Sequence, residues 1–306
     1  ADVSVTGGFE WAYKQQGSDI TALDGDSFVT DNEVIIMFTN KTDSGLTIQG
    51  KWDVDADNAG AHGGSTDESA LYISGGFGKL ALGLDDEVND AFGMAEIDLI
   101  DEDYNGADAS ATIVTNAGEA GASDANSVSY FTPAIAGFKA GISSRDSGAN
   151  GKTDFVAYGG SYTVPVGGGS LEARYNEGST DVDGKVSTDT KNFGVKFNMG
   201  AMTVIASTAQ TKGDDEDIKA DGFGIKYDMG GGMTVAATKM EAEDSLDMSG
   251  TVKEKYEANV AELVYTVAPG LKAKLTYVDY DYNAGGESAA DSDAGEITVL
   301  TLSASF

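Results

Sequence analysis

Cysteine is absent from the 306 residues, which excludes a disulfide framework and a thiolate metal site. Arginine occurs twice, at Arg145 and Arg174; lysine and arginine together number 19 against 51 aspartates and glutamates. A net charge of −32 offers no basic surface to a phosphate backbone, so nucleic acid is excluded as a partner. Histidine occurs once, as His62 in the loop-like run Ala61-His62-Gly63-Gly64-Ser65, a poor basis for nucleophile–histidine chemistry, and no enzyme is expected. The Gly-rich turns have no following lysine and helix, so no phosphate-binding loop is present. No apolar run approaches the roughly 20 residues of a spanning helix. The longest, Val34-Ile35-Ile36-Met37-Phe38, has five. The chain starts at Ala1 rather than Met, which fits a mature form whose signal segment has been removed.

What is present is alternation. Val3, Val5, Gly7, Phe9, Trp11 and Tyr13 take the odd positions, with Ser4, Thr6, Gly8, Glu10, Ala12 and Lys14 between them. This period of two marks strands with one apolar and one polar face, and it argues against disorder despite the acidic, Gly-rich composition. It recurs in Leu46-Ile48-Gly50-Trp52-Val54, Val156-Tyr158-Gly160-Tyr162-Val164, Phe223-Ile225-Tyr227-Met229 and Ala261-Leu263-Tyr265-Val267. Sixteen strands are expected, at residues 2–14, 28–40, 44–56, 67–77, 79–86, 127–133, 137–146, 153–164, 169–178, 189–199, 201–211, 219–229, 232–241, 255–267, 270–282 and 294–306. Their connections alternate between tight turns, where all three prolines fall (Pro133, Pro165, Pro269), and longer acidic loops. The longest loop is residues 85–127, with twelve Asp or Glu and no Lys or Arg. A loop of that length in a compact domain is functional or disordered.

Tight turns at one end and long loops at the other describe a transmembrane β-barrel, expected here as a single domain over residues 1–306. Alternation alone is equally compatible with a soluble acidic β-sandwich or adhesin-like surface protein. Three features favour the membrane. Trp11, Tyr13, Phe77, Tyr162, Tyr227, Tyr265 and Phe306 sit near strand ends on the apolar face, as interfacial girdles do. The polar face keeps charge in mid-strand, at Glu10, Lys51, Arg174, Lys196, Lys226 and Lys274. The chain closes on Leu300, Leu302, Ala304 and Phe306 on one face, resembling the sorting signal of bacterial outer-membrane proteins.

The stretches Lys41-Thr42-Asp43-Ser44-Gly45-Leu46, Tyr72-Ile73-Ser74-Gly75-Gly76-Phe77-Gly78-Lys79-Leu80, Asn126-Ser127-Val128-Ser129-Tyr130-Phe131-Thr132-Pro133 with Gly137-Phe138, and Tyr227-Asp228-Met229-Gly230-Gly231-Gly232 span nearly the whole chain. In this order, with a long third loop and a terminal Phe, the chain resembles the trimeric sixteen-stranded general-diffusion porins of Gram-negative bacteria, nearest the purple-bacterial type. The resemblance implies an outer-membrane, water-filled channel for small hydrophilic solutes and ions, embedded in lipid and lipopolysaccharide and assembled as a homotrimer. A channel specific for one solute is the nearest alternative. The resemblance also implies that the third loop, residues 85–127, folds into the barrel and sets acidic groups against a basic wall. The candidate eyelet residues are Asp85, Asp86, Glu87, Asp90, Glu96, Asp98, Asp101, Glu102 and Asp103. The candidate wall residues are Glu10, Lys14, Asp31, Glu33, Lys51, Arg145 and Arg174. Here the pattern departs from relatives, in which positions matching Glu10, Asp31 and Glu33 carry arginine. Carboxylates on both sides predict cation preference.

So many carboxylates in a narrow site raise one another's pKa unless a cation neutralises them. A structural Ca²⁺ near Asp98, Asp101 and Asp103 is therefore a candidate, with no organic cofactor. Asp53-Val54-Asp55-Ala56-Asp57-Asn58 starts like an EF-hand loop, yet Gly64 stands where the closing Glu belongs, leaving at most a looser site at the mouth. Asp214-Asp215-Glu216-Asp217 is expected to be a solvated loop tip.

Overall fold

The computed structural model describes residues 2–20, 23–55, 65–102, 125–146, 153–182, 187–213, 217–245, 253–283 and 292–306. Among these residues sixteen strands occur in chain order. They are β1 (Asp2–Ser18), β2 (Gly25–Lys41), β3 (Thr47–Asp55), β4 (Ser65–Gly75), β5 (Gly78–Asp85), β6 (Ala125–Phe131), β7 (Phe138–Asp146) and β8 (Thr153–Val166), followed by β9 (Gly169–Val182), β10 (Thr188–Met199), β11 (Met202–Lys212), β12 (Asp217–Gly230), β13 (Met233–Asp244), β14 (Glu254–Ala268), β15 (Leu271–Asn283) and β16 (Asp293–Ser305). Each pairs antiparallel with its sequence neighbours, and β1 pairs with β16, closing the barrel. The terminal Phe306 completes the seam by exchanging backbone hydrogen bonds with Gly7 at 3.0 and 3.2 Å. A closed barrel satisfies every strand edge, which a bilayer demands.

The expected strands are all present. The first hairpin is taller than its hydrophobic pattern suggested, since β1 and β2 remain paired out to Gln16↔Gly25. That region is polar on both faces, so no alternation marks it. The tight turns follow from local chemistry. At Gly78, φ is +115° and a Cβ would lie 2.1 Å from the Phe131 carbonyl oxygen, so only glycine fits.

The outward face carries the apolar band. Phe9, Trp11, Phe77, Tyr162, Tyr227, Tyr265 and Phe306 are all exposed there, as lipid-facing residues must be. The inner face is polar only in part, which corrects the expectation of a polar lumen face throughout. On β14, Leu263 and Tyr265 point outward, but nearer the loops Lys255, Glu257 and Asn259 are outside and Tyr256, Ala258 and Val260 are buried inside. The same exchange occurs on β13, with Lys239 and Glu241 out and Met240 and Ala242 in. On β15, Asp279 and Asp281 are out and Val278, Tyr280 and Tyr282 are in. These inward residues join Ala12, Ile218 and Ile297 in one apolar cluster, against which Ile100 packs. The physical reason is solvent. Strand ends that rise beyond the lipid meet water outside, so their polar residues turn out and their apolar residues turn in. Tyrosines mark the changeover: Tyr158 and Tyr175 both donate to Glu177 at 2.7 Å, and Tyr13 donates to Asp26 at 3.2 Å.

Candidate functional site

The acidic stretch leaves β5 at Asp85 and forms a short helix, α1 (Val88–Ala91), and a 3₁₀ turn, Glu96–Leu99. Its backbone is tied to side chains on the lumen parity of the wall. Val88 N–H donates to Ser143 Oγ at 2.7 Å. The Asn192 amide accepts from Met94 N–H at 3.1 Å and donates to Met94 O at 3.2 Å. Arg174 donates to Gly93 O at 3.0 Å. The Glu262 carboxylate accepts from the N–H groups of Asp101 and Glu102 at 2.8 and 2.9 Å. Such contacts need room, and glycines on the wall supply it. A Cβ at Gly194 would stand 2.5 Å from Met94 Cβ, one at Gly222 would meet the Glu96 carboxylate, and Gly141 and Gly224 make similar space for Val88 and Leu99.

The wall also neutralises much of the segment's charge. Asp101 takes Lys226 at 2.5 Å and Lys272 at 2.9 Å. Its burial would raise its pKa, but the two lysine hydrogen bonds outweigh that and hold the carboxyl below the usual range. Glu102 lies 3.2 Å from Lys274, which also holds Glu10 at 2.9 Å and Asp101 O at 2.9 Å. Burial still pushes Glu102 upward against that lysine. Glu96 is buried, with Ser207 Oγ donating to its carboxylate at 3.3 Å; burial raises its pKa to about 7. Glu87 is buried 3.7 Å from Arg145, whose guanidinium also stacks 4.3 Å from the Phe155 ring centroid.

The sequence candidates divide accordingly. Asp85 is occupied by the Tyr72 hydroxyl at 2.6 Å. Asp86 and Asp98 are exposed and Asp90 is half-buried, with Asp98 accepting from Ala95 N–H at 3.2 Å. Asp103, His62 and 214–216 lie outside the described residues. Of the candidate Ca²⁺ ligands, Asp101 holds two lysines, Asp98 is exposed, and Asp103 is among the residues not described. Arg174 binds Glu172 at 2.8 Å, beside Lys196 at 3.1 Å from the same carboxylate. Register with the outward Trp11 and Phe38 places Lys14, Asp31, Glu33, Lys51, Asp53 and Asp55 inward. Lys51 contacts Glu68 and lies 3.4 Å from Asp53. Sequence reasoning did not single out Asn192, Glu262 or the inward glycines. Glycine inside a strand, on the parity opposite the lipid face, was the available signal.

The Gram-negative porin family model matches residues 1–302. No curated protein sequence matches the chain. Solved structures match it end to end in fold at low identity. The outer-membrane channel DcaP of Acinetobacter baumannii superposes with a TM-score of 0.76 at 12% identity, covering 100% of this chain and 97% of that one. OmpF of Salmonella typhi, in complex with daunomycin, gives 0.74 at 12%, covering 99% and 97%. The anion-selective porin of Comamonas acidovorans gives 0.72 at 17%, covering 100% and 99%. A closed sixteen-stranded barrel, an outward apolar band with aromatic girdles and a family match over nearly the full length lead to one conclusion: this chain belongs to the Gram-negative porin family and is a non-enzymatic channel of the bacterial outer membrane.

Proposed function

We propose that the protein is a passive, cation-preferring diffusion pore for small hydrophilic solutes, narrowed by the acidic loop 85–127, of which residues 103–124 lie outside the described residues. One observation carries the sign of the preference. The cationic side chains on the wall of β9–β15 each have a carboxylate partner: Arg174 and Lys196 on Glu172, Lys226 and Lys272 on Asp101, and Lys274 on Glu10 and Glu102. The wall of β2–β4 instead carries Asp31, Glu33, Asp53, Asp55 and Glu68 around Lys51. Acidic pore linings favour cations, and a low-dielectric wall focuses their field. Size exclusion comes from the seated segment and its hydrogen bonds to Ser143, Asn192 and Glu262. A homotrimer is part of this reading, since OmpT of Vibrio cholerae is described in a trimer form. So is contact with lipopolysaccharide, which the charged outward rows above the tyrosines suit.

The test is the reversal potential of the purified channel in planar bilayers under a KCl gradient. The cation-preferring sign is expected, and an anion-preferring sign, as in the Comamonas porin's description, would refute the proposal.

A further inference from the structure

The lysines of the inner wall differ in their partners. Lys51, Lys196, Lys226, Lys272 and Lys274 each hold a carboxylate. Among the described residues, Lys41, Lys79 and Lys139 hold none, in a chain with 51 acidic and 19 basic side chains. Asp2 at the start of β1 and Asp43 in the turn beside Lys41 form no ion pair with it. The inward carboxylates Asp31, Glu33, Asp53, Asp55, Glu68 and Asp85 stand nearer the loops. The nearest of them, Asp53, Glu68 and Asp85, are each six residues along the strand from Thr47, Ser74 and Lys79 respectively. At ~3.3 Å per residue that separation is about 20 Å.

Strand register sets two of these lysines in one row. Lys41 faces Thr47, Thr47 faces Ser74 and Ser74 faces Lys79, across β2 to β5. Directly opposed residues share one face of a sheet. The Lys79 ammonium lies 4.7 Å from the ring centroid of Tyr72, which is buried inside the barrel on Asp85, so that face is the lumen. All four residues occupy the first two or last two positions of a strand at a tight turn, and all are at least partly exposed. The Thr47 and Ser74 hydroxyls make no side-chain hydrogen bond among the described residues. Phe131 also meets the Lys79 ammonium, at 5.0 Å. Two rings hold an ammonium in place without cancelling its charge. The row therefore offers the donors of two ammonium groups and two hydroxyls, with no carboxylate to take them. With strands ~4.8 Å apart, the two lysine backbones are about 14 Å apart, a gap that two inclined lysine side chains close onto one small ion.

We propose that this row is a subsite for compact dianionic oxyanions, of the phosphate and sulfate class, at the tight-turn mouth of the pore. Lys41 and Lys79 supply the charge, and Thr47 and Ser74 donate to the oxygens between them. Lysine binds such an anion as a point charge, and the hydroxyls add direction. The subsite is separate from the acidic lining nearer the loops and goes beyond the reading of the pore as cation-preferring. A dianion arriving from the tight-turn side is held before it meets the carboxylates, so its block of the current is one-sided.

The experiment is single-channel recording of the full-length protein in low-salt KCl, where screening is weak, with inorganic phosphate or sulfate added to one side of the bilayer at a time. Millimolar additions are expected to reduce the current saturably from one face only, and chloride at equal ionic strength is not. Lys41→Met with Lys79→Met is expected to weaken the block about tenfold or more, because charge-assisted hydrogen bonds are lost. Lys79→Gln alone gives a smaller shift in the same direction and serves if the double variant folds poorly. Thr47→Val with Ser74→Ala keeps both charges and weakens the block about threefold, which a diffuse field of lysines would not show. Lys139→Met removes an exposed lysine at the start of β7, outside the row, and leaves the block as in the wild type. A channel without saturable block, equal block from both faces, or a loss in Lys139→Met matching that in Lys79→Gln overturns the subsite. The reversal potential of the same channels reads the ion preference independently, so failure of the subsite and failure of that preference are told apart.

Discussion

Gly194→Ala is expected to unseat the acidic segment from the wall. An added methyl carbon would stand 2.5 Å from Met94 Cβ, 2.7 Å from Cγ and 2.8 Å from Sδ. Ordinary contact begins at 3.4 Å, so Met94 must retreat by about 0.9 Å. Rotation of the side chain cannot relieve a clash at Cβ, so the backbone must move. That backbone is held by Asn192 through hydrogen bonds of 3.1 and 3.2 Å, and a shift of this size lengthens at least one beyond useful range. Overpacking of a tight interior costs about 1–3 kcal/mol. The ratio of seated to unseated segment then falls about 5- to 150-fold. Because the chain has no cysteine, a single reporter can be placed cleanly. Leu99→Cys puts a thiol at a buried site in the space left by Gly224. Its labelling rate by a lumen-permeant reagent follows the unseated fraction when reclosing is fast. Gly194→Ala in this background should raise the rate within that 5- to 150-fold range, and adding Met94→Gly, which deletes the clashing atoms, should return it toward the reference. An unchanged rate in Gly194→Ala, or no rescue by Met94→Gly, would show that the Met94 socket does not hold the segment.

Two further outcomes follow from the charges. Lys274 is 2% exposed and serves Glu10 and Glu102 together, so Lys274→Met leaves two carboxylates without their cation, a loss of about 3–5 kcal/mol for a broken buried pair. The temperature at which the folded barrel converts to the slower unfolded band in detergent gels should drop, with partial recovery in Lys274→Met with Glu10→Gln; an unaltered conversion temperature contradicts the pairing. Glu96 has an ordinary value of 4.5 in water and about 7 in its buried seat, so the seated state binds the extra proton. Its contribution to seating is fully present below pH 4.5, declines as the pH rises, and is lost above about 7. Open-channel current fluctuations should therefore grow between pH 5 and 8 in the wild type and grow less across that range in Glu96→Gln; matching profiles in both would remove Glu96 as the cause.

Much of the barrel was legible in advance because lipid imposes a rule that the sequence must obey at every second residue. Phe193-Val195-Phe197-Met199 is outward on β10 for that reason alone. The rule fails where lipid ends. Tyr256, Ala258 and Val260 look like a lipid face by composition, yet they are buried inside, because the charged Lys255 and Glu257 between them need water. The acidic segment stood out by its length and charge, but its seat did not. Asn192 and Glu262 are unremarkable polar residues in strands far away in sequence, 98 and 160 residues or more from the backbone groups they bind.

The sequence by itself determined the strand number, the closed topology, the lipid-facing parity and the acid-rich character of the pore, since these follow from local periodicity and total charge. Only the tertiary structure decided which carboxylates meet which lysines. Glu10, Asp101 and Glu102 hold lysines brought near by barrel closure, and Lys51 holds Asp53 and Glu68 on the opposite stretch of wall. Charge neutralisation depends on distances of a few ångströms between residues remote in the chain, and no periodicity records them.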